Sequence, residues 1–238
     1  MEQSRLNEVE SLMRASKAVL EFDNFQDSAR KIFDEACYLT EATSGYIALL
    51  SKDGKLNDVL FLESGGIKCT VDPSLPMPIR GLREECYQKQ KAVYNNSFMS
   101  SRFAKLMPPG HMPLNNILFA PLIIKKKSVG VMGLANKKDP FNDHDAKLAE
   151  GFCEFAAMAL VNSRNLDNIR ENINKLEKSL KEIKTLKGFI PICSHCKNVR
   201  DDEGFWLQVE EYVSRNSDLL FSHSLCPKCL KEHYQIEE

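Results

Sequence analysis

Two cysteine pairs constrain this chain more than anything else in it. Cys193-x2-Cys196 and Cys226-x2-Cys229 stand 29 residues apart inside the last 51 residues. Each pair makes a tight chelating turn, and two such turns supply the four soft ligands that tetrahedral Zn²⁺ requires. A segment of that size has little apolar material for a core, so metal binding would supply much of its folding free energy. Zinc bound by Cys193, Cys196, Cys226 and Cys229 in a structural role is the expectation. Rubredoxin-like iron uses the same ligand set, and a redox dithiol is a third use of such a pair. His195 lies inside the first pair and His223 just before the second. The simplest role for His223 is that of an outer hydrogen-bond donor or loop anchor, with His195 exposed.

Charge limits what this tail can bind. From Gly188 to the end there are five Lys/Arg against nine Asp/Glu, and four thiolates on Zn²⁺ would add further negative charge. The whole chain carries −1. Nucleic acid is therefore not an expected partner. Phe205, Trp206, Val209, Tyr212 and Val213 are expected to form the small core of the tail, on a helix between the pairs.

The longest apolar run, Ile117 to Ile124, is eight residues, far short of the ~20 a membrane helix needs. The polar start, MEQSRLNEVE, shows no secretory apolar core. A reducing cytoplasm is the expected compartment, where cysteines serve metal, catalysis or core rather than disulfides.

Upstream, hydrophobic periodicity gives a helix over 4–20 and a second helix capped by Asn24. A hairpin turns at Asp53-Gly54 between strands 45–50 and 58–62. Pro73, Pro76 and Pro78 break the chain. A short helix over 82–88, a strandlet at 92–94 and a long irregular stretch over 95–115 come next. Strands 116–124 and 128–135 precede a helix from Asp143 to Val161. Strands joined by short turns imply an antiparallel sheet with helices on it, an α+β class. Leu166, Ile169, Ile173, Leu176, Leu180 and Ile183 then alternate at steps of three and four. That is the seam of a short coiled coil, ended by Gly188 and Pro191. The expected segments are 1–162, 163–187 and 188–238.

The stretches "NILFAPLII", "VGVMGLAN" and "PFNDHDAKLAEGFCEFAAMALVNSR", with "GLREECYQKQKAVYNN" from Gly81, resemble the GAF domain over about residues 5–165. The resemblance implies a GAF/PAS-like six-stranded antiparallel sheet, helices on one side and a small-molecule pocket on the other. It also implies a homodimer through the terminal helices. Some cyclic-nucleotide-binding relatives carry N-K-x(n)-F-x3-D-E. Asn136, Lys137, Phe141 and Asp145 match, but Ala146 replaces the final Glu, which puts cyclic-nucleotide binding in doubt. Lys137 and Asp145 would form a surface pair worth roughly 0–1 kcal/mol.

The tail, "ICSHCKNVRDDEGFWLQVEEYV…FSHSLCPKC", is similar to a cysteine module that follows sensor domains in bacterial and archaeal signalling proteins. Phe98, Phe103, Met107, His111 and Phe119 are the residues expected to line the pocket or to pack the long loop onto the sheet.

The expected function is that of a sensor. It would bind a small molecule or register redox state and relay it through the coiled coil to the zinc module and a partner signalling protein. No glycine-rich nucleotide loop or catalytic carboxylate cluster is visible, so no enzyme is expected. Three alternatives stand beside this reading. Some GAF relatives reduce free methionine sulfoxide, with Cys69 and Cys86 as the candidate thiols here. Others are haem redox sensors, with His111 and Cys86 or Cys153 as ligands. A ligand-free adaptor is the third.

Overall fold

A computed structural model describes the backbone of residues 2–72, 74–187 and 190–234. It describes their side chains except at 2, 4, 182–187, 233 and 234. Pro73, Gly188 and the side chain of Ile183 lie outside the described residues. The chain divides into two compact units, Met1–Arg170 and Glu171–Glu238. Among the described residues no helix is long and apolar enough to cross a membrane.

The first unit is built on a six-stranded antiparallel sheet in the order β3-β2-β1-β6-β5-β4. Its strands are β1 (Ser44–Leu50), β2 (Leu56–Glu63), β3 (Met77–Pro78), β4 (Val93–Asn95), β5 (Ile117–Ile124) and β6 (Lys127–Ala135). Gly54, at φ 73°, turns β1 into β2, as the Asp-Gly pair predicts. The sequence reading missed β3. It is a two-residue edge strand containing Pro78, and proline in a sheet is confined to such edges.

Alternation along the strands separates two cores. Ile47, Leu118, Ala120, Leu122, Met132 and Leu134 face one side. There they meet α1 (Glu2–Glu21), α2 (Phe25–Thr40) and the first part of α4 (Asp143–Lys187) through Ala15, Ile32, Phe33, Phe152, Ala156 and Leu160. Ala48, Ile117, Phe119, Val131 and Ala135 face the other side, under α3 (Leu82–Lys89) and the long loop.

Local chemistry fixes the helix starts. Asn24 Oδ1 accepts the backbone N–H of Asp27 at 2.9 Å, the expected N-cap. Asn142 caps α4 by accepting from His144 N at 2.8 Å and Asp145 N at 3.1 Å, and Asp145 Oδ2 accepts Asn142 N at 2.9 Å. This reciprocal pair closes the first turn as a capping box does. Arg14 ties α1 to α2, donating to Glu35 Oε1 at 2.8 Å and Oε2 at 2.9 Å.

Lys137 and Asp145 do pair, but not at the surface. Lys137 Nζ donates to both carboxylate oxygens, at 2.8 and 2.9 Å, with side chains only 11% and 4% exposed. The expectation of a weak surface pair is therefore wrong. The loop after β6 folds inward because Asn116 Nδ2 donates to Lys137 O and Asp139 O, which draws the lysine under the start of α4.

β4 pairs with only Ile117, Leu118 and Phe119 of β5. Beyond Phe119 the outer edge of β5 has no strand beside it, and Pro121 lies in that stretch.

The second unit holds a two-stranded hairpin, β7 (Val199–Arg200) with β8 (Trp206–Leu207), then α5 (Val209–Asn216) and α6 (Pro227–Tyr234). The aromatic residues expected as its core are not buried. Phe205 is 63% exposed and Trp206 51%, and Trp206 sits on a strand rather than a helix. Among the described residues Val199 is the buried hydrophobic side chain of this unit. A segment this short has too few apolar groups to close over themselves.

Candidate functional site

The second face of the sheet carries the candidate pocket. The long loop crosses it with two single 3₁₀ turns, Phe98–Ser100 and Ala104–Leu106. Phe98 and Phe119 are buried in the cluster there, and Phe103 and Met107 pack against it. These four expected residues are therefore brought together. His111 is half-buried on the same loop, its Nδ1 2.7 Å from the carbonyl oxygen of Met112, and Met112 and Leu114 are buried in the cluster beside these four. The floor depends on a glycine. A Cβ at Gly133 would stand 2.9 Å from ring carbons of both Phe119 and Tyr46, so only glycine lets the two aromatic rings lie over β6.

Four polar residues of this face were not singled out from sequence. Arg83 and Tyr87 sit one turn apart on α3, on the side that meets the sheet. Arg83 Nη1 donates to the Tyr46 hydroxyl at 3.4 Å and Nη2 to Pro78 O at 3.0 Å. The Tyr87 hydroxyl donates to Asn57 Oδ1 at 2.7 Å. Burial pushes the Tyr46 phenol above its ordinary range, with Arg83 opposing it. The available signal for Asn57 was its place in the strand "LNDVLFL", where alternation sets it on the face opposite its neighbour Asp58.

Clefts flank α3 on both sides. One of about 450 Å³ is lined by Gly81, Glu84, Glu85, Gln88, Arg102, Phe103 and Leu106. The other, of about 410 Å³, includes Leu50, Ile79, Tyr87, Lys127 and Ser128.

Cys86 is buried in the second-face cluster and Cys69 packs against it. Cys153 belongs to the helix-side core, where its thiol donates to Ala120 O at 3.4 Å. The fold thus places Cys153 and the His111 loop on opposite faces of the sheet. Burial raises the Cys86 thiol to about 12, from an ordinary value of 9.0. Such a thiol holds its proton near neutrality and is a poor nucleophile.

This shift makes a pH prediction. From pH 9 upward the unfolded chain loses the Cys86 proton while the folded chain keeps it up to about 12. Folding stability should therefore fall with rising pH across that window, by about 1.4 kcal/mol per unit for this one group. Urea unfolding of wild type and Cys86→Ala at pH 8 to 10.5 would show the wild type with the steeper decline. Parallel slopes would rule out the burial effect.

In the second unit the first cysteine pair lies in a tight turn and the second at the start of α6. Cys193 N donates to Asn198 O at 2.8 Å and Lys197 N to Cys193 O at 3.1 Å, with Lys197 in the left-handed region at φ 65°. Backbone N–H groups, that of Cys196 first and then His195, draw the Cys193 thiol below its ordinary value. Cys226 precedes α6 and accepts Leu230 N on its carbonyl at 3.0 Å. Its thiol is drawn down in the same way, first by the backbone N–H of Cys229. All eight cysteines are free, and among the described residues no three of His, Cys, Asp and Glu converge on one point.

A family profile described as "GAF domain" matches residues 23–161. No curated protein matches the chain. Several solved structures share the fold. The GAF domain of a phosphoenolpyruvate-protein phosphotransferase from Coxiella burnetii is 12% identical, with a TM-score of 0.58 over 67% of this chain and 96% of that one. Its counterpart from Acinetobacter is 14% identical, with a TM-score of 0.54 over 68% and 97%. The free methionine-R-sulfoxide reductase of Neisseria meningitidis, solved with its substrate, is 15% identical, with a TM-score of 0.52 over 68% and 93%.

Proposed function

The chain belongs to the GAF-domain family, and from that premise we propose that it is a signalling sensor: a small molecule held on the second face of the sheet, a dimer formed along α4, and a zinc-stabilised tail that engages a partner protein. The observation that carries this reading is α4. Its first turns pack Phe152, Ala156 and Leu160 into the core of the sheet, and the same helix runs on to Lys187. Along that continuation Ile169, Ile173, Leu176 and Leu180 are 49–64% exposed, at the spacing of a coiled-coil seam. Among the described residues nothing buries these side chains, and a second copy of the helix would. Ligand-dependent repacking of the loop and sheet would then bias the pairing of the helices.

The tail's donor set fits zinc. The two cysteine pairs present four thiols, two of them lowered by backbone N–H groups, and apart from Val199 few of the unit's described apolar side chains are buried. Bound by Cys193, Cys196, Cys226 and Cys229, the ion would act as a structural cross-link and supply folding free energy. Catalysis is not part of this reading. A thiol reductase working through Cys86 is disfavoured by that thiol's burial.

The test is light scattering on the full chain, paired with native mass spectrometry. Wild type should be a dimer, and Ile173→Asp with Leu176→Asp should be a folded monomer, with dimerisation weakened at least about a hundredfold by two charges in the seam. A small-molecule mass retained by the dimer would identify what is sensed. A monomeric wild type would overturn the relay through α4.

A further inference from the structure

We propose that the sheet unit carries a docking surface for an acidic amphipathic helix of another protein, made of a row of lysines at one end of the sheet and an apolar groove that adjoins it along α4. It needs neither the ligand nor the dimer of the sensor reading. The turn between β1 and β2 carries Lys52 and Lys55, the turn between β5 and β6 carries Lys125, Lys126 and Lys127, and the stretch between α3 and β4 carries Lys91, all exposed. Pairing of β1 with β6, Leu49 opposite Gly130, puts the two turns at the same end. Gln90 Nε2 donates to Lys126 O at 2.9 Å, which brings the third segment there, and Gly54, Gln90 and Lys127 line one cleft. Across β2, β1, β6, β5 and β4, at about 4.8 Å per strand, the row spans about 20 Å. Lys89, beside Gln90, pairs with Glu85 at 3.1 Å, but the lysines of the row have no ion-pair partner among the described residues. Asp53, the acid among them, already accepts from Ser51 Oγ at 2.7 Å and from Lys55 N at 3.1 Å. Like charges gathered this way repel one another, and an acidic partner relieves them. Lys125 and Lys126 hold left-handed backbone, φ 49° and 63°, where Asn-Gly is the more stable pair, so the turn itself does not call for lysine.

The groove supplies apolar area. It holds about 820 Å³, with Pro121, Ile123 and Ile124 on one side, Ala157, Met158 and Val161 on the other, and Lys91 in its lining. Ile123, Met158 and Val161 are exposed. Pro121 offers no N–H, so an extended strand is poorly served by this edge of β5, while a helix that lays an apolar stripe in the groove needs no such bond. Glu150, on the α4 side, accepts Ala92 N at 2.7 Å, and Glu154 stays exposed there. These acids turn the partner's carboxylates toward the lysines. Other occupants fit less well. Among the described residues no exposed aromatic side chain stands in the row for bases to stack on. A flat bilayer would also meet Asp23 and Asp167, because α4 and the α1–α2 turn reach this end: Asn165 shares the groove with Ile124, and Arg170 holds Asp23 at 2.7 Å. A second copy in a two-fold contact would bring the same lysines toward these.

The experiment is selection on the full chain, at about 150 mM salt, from a phage-displayed library of helices with a fixed leucine stripe and randomised charge on its flanks. The helices selected should carry an excess of Asp and Glu on one flank. One of them, as a fluorescein-labelled peptide, should bind about tenfold more weakly, and with a flatter salt dependence, to Lys91→Gln with Lys125→Asn and Lys126→Asn. Met158→Ser with Val161→Ser should weaken it by about tenfold or more. The same peptide with Lys for each acid should not bind. Asparagine tolerates left-handed backbone, so the lysine variant should melt as wild type does, and lost binding would then report lost charge. Selected helices of no consistent charge, no selected helix at all, or binding that survives either variant would overturn the assignment. So would a dimer that Met158→Ser with Val161→Ser turns into a monomer in light scattering, which would give the groove to a second copy. Phosphatidylserine vesicles that sediment the wild type, while no helix binds, would give the lysines to a lipid surface and overturn it too.

Discussion

Chelating the metal from the purified protein, or replacing Cys226 by serine, is expected to unfold the tail and leave the sheet unit folded. Structural zinc in short peptides contributes about 10–16 kcal/mol at neutral pH, more than most whole domains possess. The tail has no other source of comparable size. Val199 is its buried hydrophobic residue among those described, while Leu219, Leu220, Phe221 and Leu225 are all exposed. The hairpin is held by two residue pairs, Val199–Leu207 and Arg200–Trp206, which is too little for independent stability. The chain carries one tryptophan, Trp206, and it lies in the tail. Its fluorescence therefore reports on that unit alone, while far-UV circular dichroism is dominated by the helices and sheet upstream. Chelation should change the first signal with little loss of the second, and elemental analysis should give one zinc per chain beforehand. Iron at the same four thiolates would announce itself by visible absorption. A tail whose fluorescence and protease resistance are indifferent to chelator would end the metal assignment.

Asp145→Ala should destabilise the sheet unit by about 3–5 kcal/mol, because it strands the buried ammonium of Lys137. Asp145 accepts from Lys137 Nζ twice and from Asn142 N, so the substitution also removes the acceptor that closes the first turn of α4. Replacing both partners together, Lys137→Met with Asp145→Leu, should recover much of the loss. The cost lies in leaving one charge alone rather than in losing the attraction. Urea unfolding followed by circular dichroism at 222 nm would measure both. A loss below about 1 kcal/mol for Asp145→Ala would mean that the pair behaves as a surface bridge.

The sequence carried the helices and the paired strands because their patterns are local. Asn24 caps where it should, and the alternation of Ile117–Ile124 sorts its side chains between two cores. What was not legible depends on neighbours far away in the chain. The burial of Lys137 follows from Asn116, a strand away, and no property of Lys137 itself announces it. The Arg83–Tyr46 and Tyr87–Asn57 contacts join α3 to strands more than 25 residues upstream. Met112, on the same loop as His111, is buried in the second-face cluster, and nothing local to it marks it for that place. In the tail, aromatic residues suggested a core by their composition alone. Composition cannot say whether enough chain is present to close over them.

The part of β5 that no strand pairs bears on how this protein behaves at high concentration. An open strand edge is an invitation to recruit the same strand from another molecule, and a run as apolar as Ala120–Ile124 would make such a stack hard to dissolve. Pro121 interrupts the ladder that any incoming strand would need, since it has no N–H to offer. The shortness of β4 is thus made harmless by one residue. Pro121→Val, which suits the strand better by propensity, would make the protein more prone to fibrous self-association without changing its fold.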